Sequence, residues 1–101
     1  MNDKELKVNL VDIRGPTSVH IDAEIDAEGS LIISGQDIGE IPLEHFGDAD
    51  YEYWVVVPEN QKNRLLLVLL KSIYSENTKL VTSFINLLKT HNIQYEFGSY
   101  T

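Results

Sequence analysis

Residues 19–27 read Val-His-Ile-Asp-Ala-Glu-Ile-Asp-Ala, so apolar and polar side chains alternate without a break. This period of two is typical of a β-strand that buries one face and exposes the other. The following Glu28-Gly29-Ser30 favours a turn, and the apolar residues 31–33 indicate the returning strand of a hairpin. The sequence therefore predicts an antiparallel sheet with one apolar face and one polar face.

Three more segments have strand character. Residues 5–14 are β-prone, and their apolar phase changes between Leu10 and Val11, which indicates a β-bulge or a strand covered on both sides. Aromatic and β-branched residues dominate residues 51–57, and Pro58 ends this strand. Apolar and polar residues alternate again over residues 93–97, which predicts a short last strand.

Two helices are predicted in the second half of the chain. Residues 65–70 form an unbroken apolar run between good helix formers, which favours a helix that is covered on more than one side. We therefore expect Leu66, Leu69 and Leu70 to be almost fully buried. A second helix, with a single apolar stripe, is predicted from Thr78 to about His91.

Residues 35–49 interrupt the strands with three glycines and a proline, which predicts a long loop with a short helical turn at residues 43–46. The predicted element order is therefore ββββααβ. We expect one α+β domain over residues 1–101, built as an antiparallel sheet of four to five strands with two helices packed on one face.

Composition excludes several classes of protein. The 101 residues include no cysteine, which excludes a disulfide scaffold, a zinc finger and a thiol nucleophile. A formal net charge of −8 argues against binding to nucleic acid or to an anionic membrane surface. No signal peptide is recognisable and the apolar runs are too short to span a bilayer, so we expect a cytoplasmic protein. We also expect no cofactor.

The charges are unevenly distributed along the chain. Residues 15–61 contain no Lys or Arg, but they contain eleven acidic residues. Charge that is segregated in this way produces a one-sided negative potential, which would steer a basic partner. The alternative is a solvated sheet face that is acidic and has no partner, because one face of such a sheet must be polar.

Trp54 lies in the string Asp50-Tyr51-Glu52-Tyr53-Trp54, where it shares the phase of Asp50 and Glu52. If these two acids face water, Trp54 also faces water, and an exposed tryptophan among charges is typical of binding hot spots. The alternative is that residues 35–49 cover Trp54. The residues predicted to bind a partner are Asp22, Glu24, Asp26, Asp50, Glu52 and Trp54.

Metal binding and catalysis have less support in the sequence. His20 and three acids share one face of the predicted strand, but alternate strand residues lie ~7 Å apart, which is too far for most side chains to converge on one ion. His45 beside Glu44 could act in acid–base catalysis, but no known catalytic motif accompanies it. We predict no metal site and no catalytic residue, with a small hydrolase-type enzyme as an alternative.

Residues 30–75 include the strings Ser34-Gly35-Gln36-Asp37-Ile38-Gly39 and Asp50-Tyr51-Glu52-Tyr53-Trp54, followed by the leucine-rich helix. This region resembles a family of small uncharacterised bacterial proteins, and the resemblance implies no catalytic residues. In size and acidity the chain is also similar to immunity proteins of bacterial toxin systems, which neutralise basic nuclease toxins. The leading hypothesis is a cytoplasmic protein that masks a basic partner such as a toxin domain. The alternative is an adaptor domain that forms a homodimer through its apolar helix.

Overall fold

The computed structural model describes residues 6–100, and the chain divides into two compact units, Met1–Leu65 and Leu66–Thr101. The strands are β1 (Lys7–Ile13), β2 (Thr17–Ile25), β3 (Leu31–Gly39) and β4 (Asp50–Val57). The helices are α1 (Glu40–Phe46), α2 (Glu59–Tyr74) and α3 (Leu80–Thr90). The chain therefore has the predicted α+β class, while the prediction of one domain over residues 1–101 stays a prediction.

The sheet lies in the first unit and has the strand order β1-β2-β3-β4, with every neighbouring pair antiparallel. The predicted hairpin joins β2 to β3, and its turn is closed by a hydrogen bond from the Asp26 amide to the Ser30 carbonyl at 3.0 Å. The phase change in β1 is a β-bulge: the register with β2 shifts between Asn9 and Val11, so Leu10 is the extra residue. The prediction of an antiparallel sheet is confirmed.

The element order is βββαβαα, not ββββααβ. The predicted loop at residues 35–49 contains the end of β3 and the helix α1, which ends at Gly47 in the left-handed conformation at a φ of 74°. The expected strand at residues 93–97 is absent from the described residues. Alternation is a local property of the sequence, whereas a strand forms only where it pairs with a sheet edge.

The prediction that two helices pack on one face of the sheet is wrong. The short helix α1 contacts the strands β2, β3 and β4. Its Phe46 ring stacks on Tyr51 of β4, with ring centroids 4.4 Å apart. Helix α1 connects β3 to β4, and the Ile41 amide donates a hydrogen bond to Thr17 Oγ1 at 3.0 Å, so connectivity, stacking and hydrogen bonding all hold the helix against this end of the sheet.

The second unit contains the C-terminal part of α2 together with α3. Tyr74 and Phe84 make an edge-to-face contact with ring centroids 6.3 Å apart, and both line an apolar cavity of about 350 Å³. Helix α3 covers nearly the predicted range. No helix among residues 6–100 combines the length and the apolar character that a membrane span needs.

The apolar run in α2 is exposed, so the prediction of almost full burial is wrong. Leu66 and Leu69 are 54% and 46% exposed, and Leu70 is half-buried. An unbroken apolar run specifies that a helix needs cover on several sides, but burial requires neighbours that the run itself does not supply. The homodimer through residues 65–70 stays a prediction.

The register assigns each strand residue to one of two faces, because residues directly opposite each other in an antiparallel pair share a face. We call one the apolar face; its paired residues are Val8, Val11, Ile13, Thr17, Val19, Ile21, Ala23, Ile25, Leu31, Ile33, Gly35, Asp37, Gly39, Tyr51, Tyr53, Val55 and Val57. We call the other the polar face; its paired residues are Lys7, Asn9, Asp12, Ser18, His20, Asp22, Glu24, Ile32, Ser34, Gln36, Ile38, Asp50, Glu52, Trp54 and Val56.

Gly39, the last residue of β3, is the position where a side chain is least compatible with the backbone. Its φ is 136°, and an added Cβ would meet the carbonyl oxygen of Pro16 and lie 2.8 Å from the Cα of Thr17. We predict that Gly39→Ala lowers the free energy of unfolding by about 1–3 kcal/mol, because backbone strain and the clash both act on the native state. Urea denaturation followed by circular dichroism measures the loss.

Gly15→Ala is the matched control, because no heavy atom lies within 4 Å of its added Cβ. We expect this variant to change the free energy of unfolding by no more than about 0.5 kcal/mol, as for an ordinary surface substitution. Equal losses at the two glycines would contradict the strained conformation of Gly39.

The hydrogen bond between Tyr53 and Asp37 provides a second test, of the side-chain arrangement on the apolar face. The Tyr53 hydroxyl donates a hydrogen bond to Asp37 Oδ1 at 2.7 Å, and this bond, with a contribution from burial, raises the pKa of Tyr53 to about 12. Because the folded pKa lies above the usual 10.0, the hydrogen bond contributes full stability below pH 10.0 and loses it as the pH rises towards about 12.

We therefore expect one of the five tyrosines to ionise late in an ultraviolet titration of phenolate absorbance. Asp37→Asn should move this late step towards pH 10.0, because it removes the acceptor charge. Tyr95→Phe is the control and should leave the late step in place. A wild-type titration without a late step would contradict the hydrogen bond.

Candidate partner-binding face

Two rows of residues cross the polar face from β2 to β4. In one row Asp22 lies opposite Ser34, which lies opposite Trp54; in the adjacent row His20 lies opposite Gln36, which lies opposite Glu52. Glu24 and Asp50 occupy further positions on the same face. The structure thus brings together five of the six residues predicted to bind a partner.

Asp26 is the exception, because it lies beyond the end of β2. Its Oδ1 accepts hydrogen bonds from the backbone amides of Glu28 and Ser30, at 3.0 and 2.9 Å. These bonds are typical of an aspartate that stabilises a turn. The assignment of Asp26 to the acidic sheet face is therefore corrected: the alternation continues past the last paired residue, but the strand does not.

Trp54 is exposed, with 68% of its surface accessible. Its neighbour across the strands is the small Ser34, which leaves the indole ring uncovered. The alternative that residues 35–49 bury it is wrong, because Phe46 of that segment stacks on Tyr51, which belongs to the apolar face. Phe46 therefore lies on the opposite side of the sheet from Trp54.

Asp22 is the most connected acid of the polar face. Its Oδ1 accepts a hydrogen bond from Asn9 Nδ2 at 3.0 Å, and its Oδ2 lies 3.0 Å from His20 Nε2 and 3.9 Å from Lys7 Nζ. The hydrogen bond from Asn9 is the main cause that lowers the pKa of Asp22. Burial opposes it and is the second largest effect, while His20 and Lys7 add smaller contributions that lower the pKa. Asp22 therefore stays ionised under mildly acidic conditions.

His20 lies between two carboxylates. Its Nε2 is 3.0 Å from Asp22 Oδ2 and its Nδ1 is 3.9 Å from Asp12 Oδ1. When the ring is protonated, both nitrogens donate towards negative charge, and the ring then cancels part of the negative potential of the face.

Gln36 orients the other acidic pair. Its Nε2 donates to Asp50 Oδ1 at 2.9 Å and to Glu52 Oε1 at 3.4 Å. One amide group thus holds two like charges on the same strand in fixed positions and offsets part of their repulsion. The sequence placed His20 on one strand face with Asp22, but it did not indicate Asn9 and Gln36, because only the register shows which acids on neighbouring strands they reach.

A shallow cleft of about 260 Å³ opens on this face. Its lining includes carboxylates from two different strands, the exposed indole and two neutral polar side chains: Asp22, Glu52, Trp54, Ser34 and Gln36. Carboxylates bind guanidinium and ammonium groups through charge-assisted hydrogen bonds, and an indole face attracts the same cations. The arrangement is chemically suited to a positively charged group.

Metal binding and acid–base catalysis are the two other kinds of chemistry considered from the sequence. Among residues 6–100, no group of three or more histidine, aspartate or glutamate side chains is placed to hold a metal ion. His45 and Glu44 lie in α1, outside the polar face, and both are exposed. The hydrolase-type alternative stays a prediction.

Comparisons with protein family models, with curated proteins and with solved structures find no match to this chain. The resemblance over residues 30–75 and the likeness to immunity proteins therefore stay predictions.

Asn9→Ala tests the arrangement around Asp22. We predict that the pKa of Asp22 rises towards its usual 3.8 in this variant, because the hydrogen bond that lowers it most is lost. The lowered pKa contributes stability that is fully present above pH 3.8 and is lost as the pH falls through the folded pKa. The free energy of unfolding of the variant should therefore depend less on pH in this range. NMR titration of the side-chain carboxyl carbons measures the shift.

Gln36→Ala is the control for this titration, because Gln36 donates to Asp50 and Glu52 and not to Asp22. An Asp22 pKa that is the same in wild type and Asn9→Ala would show that the hydrogen bond does not form in solution.

Proposed function

We propose that this protein binds a basic protein partner through the polar face and acts by occluding that partner, as an immunity protein occludes its toxin. The observation that carries the proposal is the placement of an exposed tryptophan among acids from two strands of one face. The proposal names the chemistry of the partner, a positively charged protein surface, and not its identity.

Charge supports the first step, the encounter with the partner. The polar face carries the acids Asp12, Asp22, Glu24, Asp50 and Glu52, against the single cationic side chain of Lys7 among its paired residues. Like charges on a solvated face repel one another and do not stabilise the fold, but they raise the association rate with an oppositely charged surface. An acidic surface of this kind is therefore more useful in binding than in folding.

Trp54 supports the second step, the persistence of the complex. An exposed indole leaves a large apolar area in contact with water, and a partner that covers it gains the hydrophobic contribution of that area. Tryptophans in such positions are frequent hot spots of protein interfaces. Charge then sets the rate of association, and the indole sets the rate of dissociation.

The test begins with a pull-down from the native source using the wild-type chain, followed by binding kinetics with the recovered partner at two salt concentrations. We predict that the triple variant Asp22→Asn, Glu24→Gln and Glu52→Gln associates more slowly and shows a weaker salt dependence, because it removes negative charge from the polar face. Its free energy of unfolding should change little, because the weakened contacts of Asp22 and the relief of repulsion between like charges act in opposite directions.

The control triple variant is Glu28→Gln, Glu40→Gln and Glu44→Gln, which removes the same charge from the turn and from α1, outside the polar face. We expect a much smaller effect on association from these changes. If both variants slow association equally, the net charge of the chain steers the partner, and the position of the acids does not matter. An unchanged rate and salt dependence in the first variant would mean that the acidic face is only a solvated surface.

Trp54→Ala tests the anchoring role separately. We predict that this variant raises the dissociation rate by a factor that corresponds to about 2 kcal/mol or more, with little change in association. Val56→Ala is the matched control, because Val56 lies on the same strand and the same face and is 51% exposed. If Trp54→Ala leaves the dissociation rate unchanged, the indole ring is not part of the interface.

A further inference from the structure

A row of directly paired side chains crosses the whole polar face and contains a histidine. Its members, in order from β1 to β4, are Asp12, His20, Gln36 and Glu52. All of them belong to the first compact unit, Met1–Leu65. Histidine is the one residue type in this row whose ordinary titration falls between pH 5 and 8. The charge of the row therefore depends on pH through His20.

The contacts of the His20 ring determine which nitrogen takes up the proton. Nε2 lies at hydrogen-bond distance from Asp22 Oδ2, at 3.0 Å, so in the neutral ring the proton lies on Nε2. Nδ1 is then the basic nitrogen, and it lies 3.9 Å from Asp12 Oδ1. Protonation at Nδ1 therefore places a new positive charge between two carboxylates that belong to different strands.

Two permanent cations lie near the same carboxylates on the β1 side. Arg14 Nε is 3.7 Å from Asp12 Oδ1. Lys7 Nζ is 3.9 Å from Asp22 Oδ2. Both cationic side chains are largely exposed, so water screens these two pairs strongly. Because arginine and lysine keep their charge between pH 5 and 8, the contribution that changes with pH is that of His20.

On the β4 side the ring faces acids without a permanent cation. Gln36 is neutral, and its amide donates hydrogen bonds to Asp50 and Glu52. The paired residues of β3 and β4 on the polar face include no lysine and no arginine. His20 lines the shallow cleft of this face together with Glu52 and Trp54. Among the residues that line the cleft, His20 is therefore the one that becomes a cation.

We propose that His20 is a pH-sensitive switch of the polar face: the neutral ring leaves the cleft negative, and the protonated ring cancels part of that negative potential. A positively charged surface is then attracted more strongly at neutral pH than in mildly acidic solution, because the attraction depends on the negative charge of the face. The effect on a basic partner rests on the proposed function, whereas the change in potential does not.

The single tryptophan of the chain provides a measurement that needs no partner. Trp54 is 68% exposed and shares the cleft with His20. Quenching of its fluorescence by iodide and by caesium gives two Stern–Volmer constants. Their ratio depends on the local potential, and it does not depend on the fluorescence lifetime, which a nearby imidazolium can also change. Quenching by neutral acrylamide reports the exposure of the indole alone.

We expect the ratio of the iodide constant to the caesium constant to rise by roughly 1.4-fold or more between about pH 8 and about pH 5.5. Two strand spacings and two residues place the new charge about 12 Å from the indole, and at about 0.1 M ionic strength it changes the local concentration of each ion by about 1.2-fold, in opposite directions. His20→Gln should abolish most of the rise. His45→Gln is the matched control, since it removes a histidine of α1, outside the polar face, and it should keep the rise.

Two outcomes would overturn the proposal. The first is a ratio that does not change with pH in the wild type, and the second is an equal rise in His20→Gln. An indole that acrylamide does not reach at either pH would mean that another part of the chain covers the polar face, and it would overturn the proposed function as well.

Binding kinetics with the recovered partner separate the two proposals. The wild type should associate more slowly at about pH 5.5 than at about pH 8, and His20→Gln should lose most of this difference. A rise in the quenching ratio without slower association would mean that the partner binds elsewhere, which is a failure of the proposed function and not of the change in potential. Slower association in acid that is equal in wild type and His20→Gln would overturn the role of His20 in binding.

Discussion

Strand β2 hydrogen-bonds to β1 on one side and to β3 on the other, and its unbroken alternation assigns the residues of both neighbours to a face. A slip of one residue in either pairing would move acids onto the apolar face and apolar residues onto the polar face. The hydrophobic penalty of such a slip falls on a whole strand at once. The register of β2 with β3, continued by that of β3 with β4, is therefore the constraint that places Asp22, Glu52 and Trp54 on one side of the sheet.

The bulge at Leu10 adapts β1 to this register. Without the extra residue, Val8 would lie on the opposite face of the strand from Val11 and Ile13. With the bulge, all three lie on the apolar face. Asn9 and Asp12 both remain on the polar face, where Asn9 reaches Asp22 and Asp12 lies near His20. A local irregularity thus supplies two of the groups that organise the acidic surface.

The two faces of the sheet have different requirements. The polar face concentrates like charges, which lowers the stability of the isolated fold, and the hydrogen bonds of Asn9 and Gln36 offset only part of that repulsion. The apolar face leaves large side chains such as Val55 in contact with water. A basic partner on the polar face would relieve the first of these conditions.

Much of the sheet and most of the candidate site could be predicted from the sequence, because strand alternation is a local pattern that also determines which side chains share a face. The β2–β3 hairpin and the common face of Trp54 with its neighbouring acids follow from that period. The phase change in β1 left two interpretations open, and the register showed that it is a bulge at Leu10. The tertiary structure alone decided that the alternation at residues 93–97 forms no strand, that Asp26 belongs to a turn and that Leu66 is exposed. It also showed that Gln36 reaches Asp50 of β4 and that His20 lies near Asp12 of β1. Pairing, turn closure and burial depend on contacts between segments that are distant in the chain, and no local period contains them.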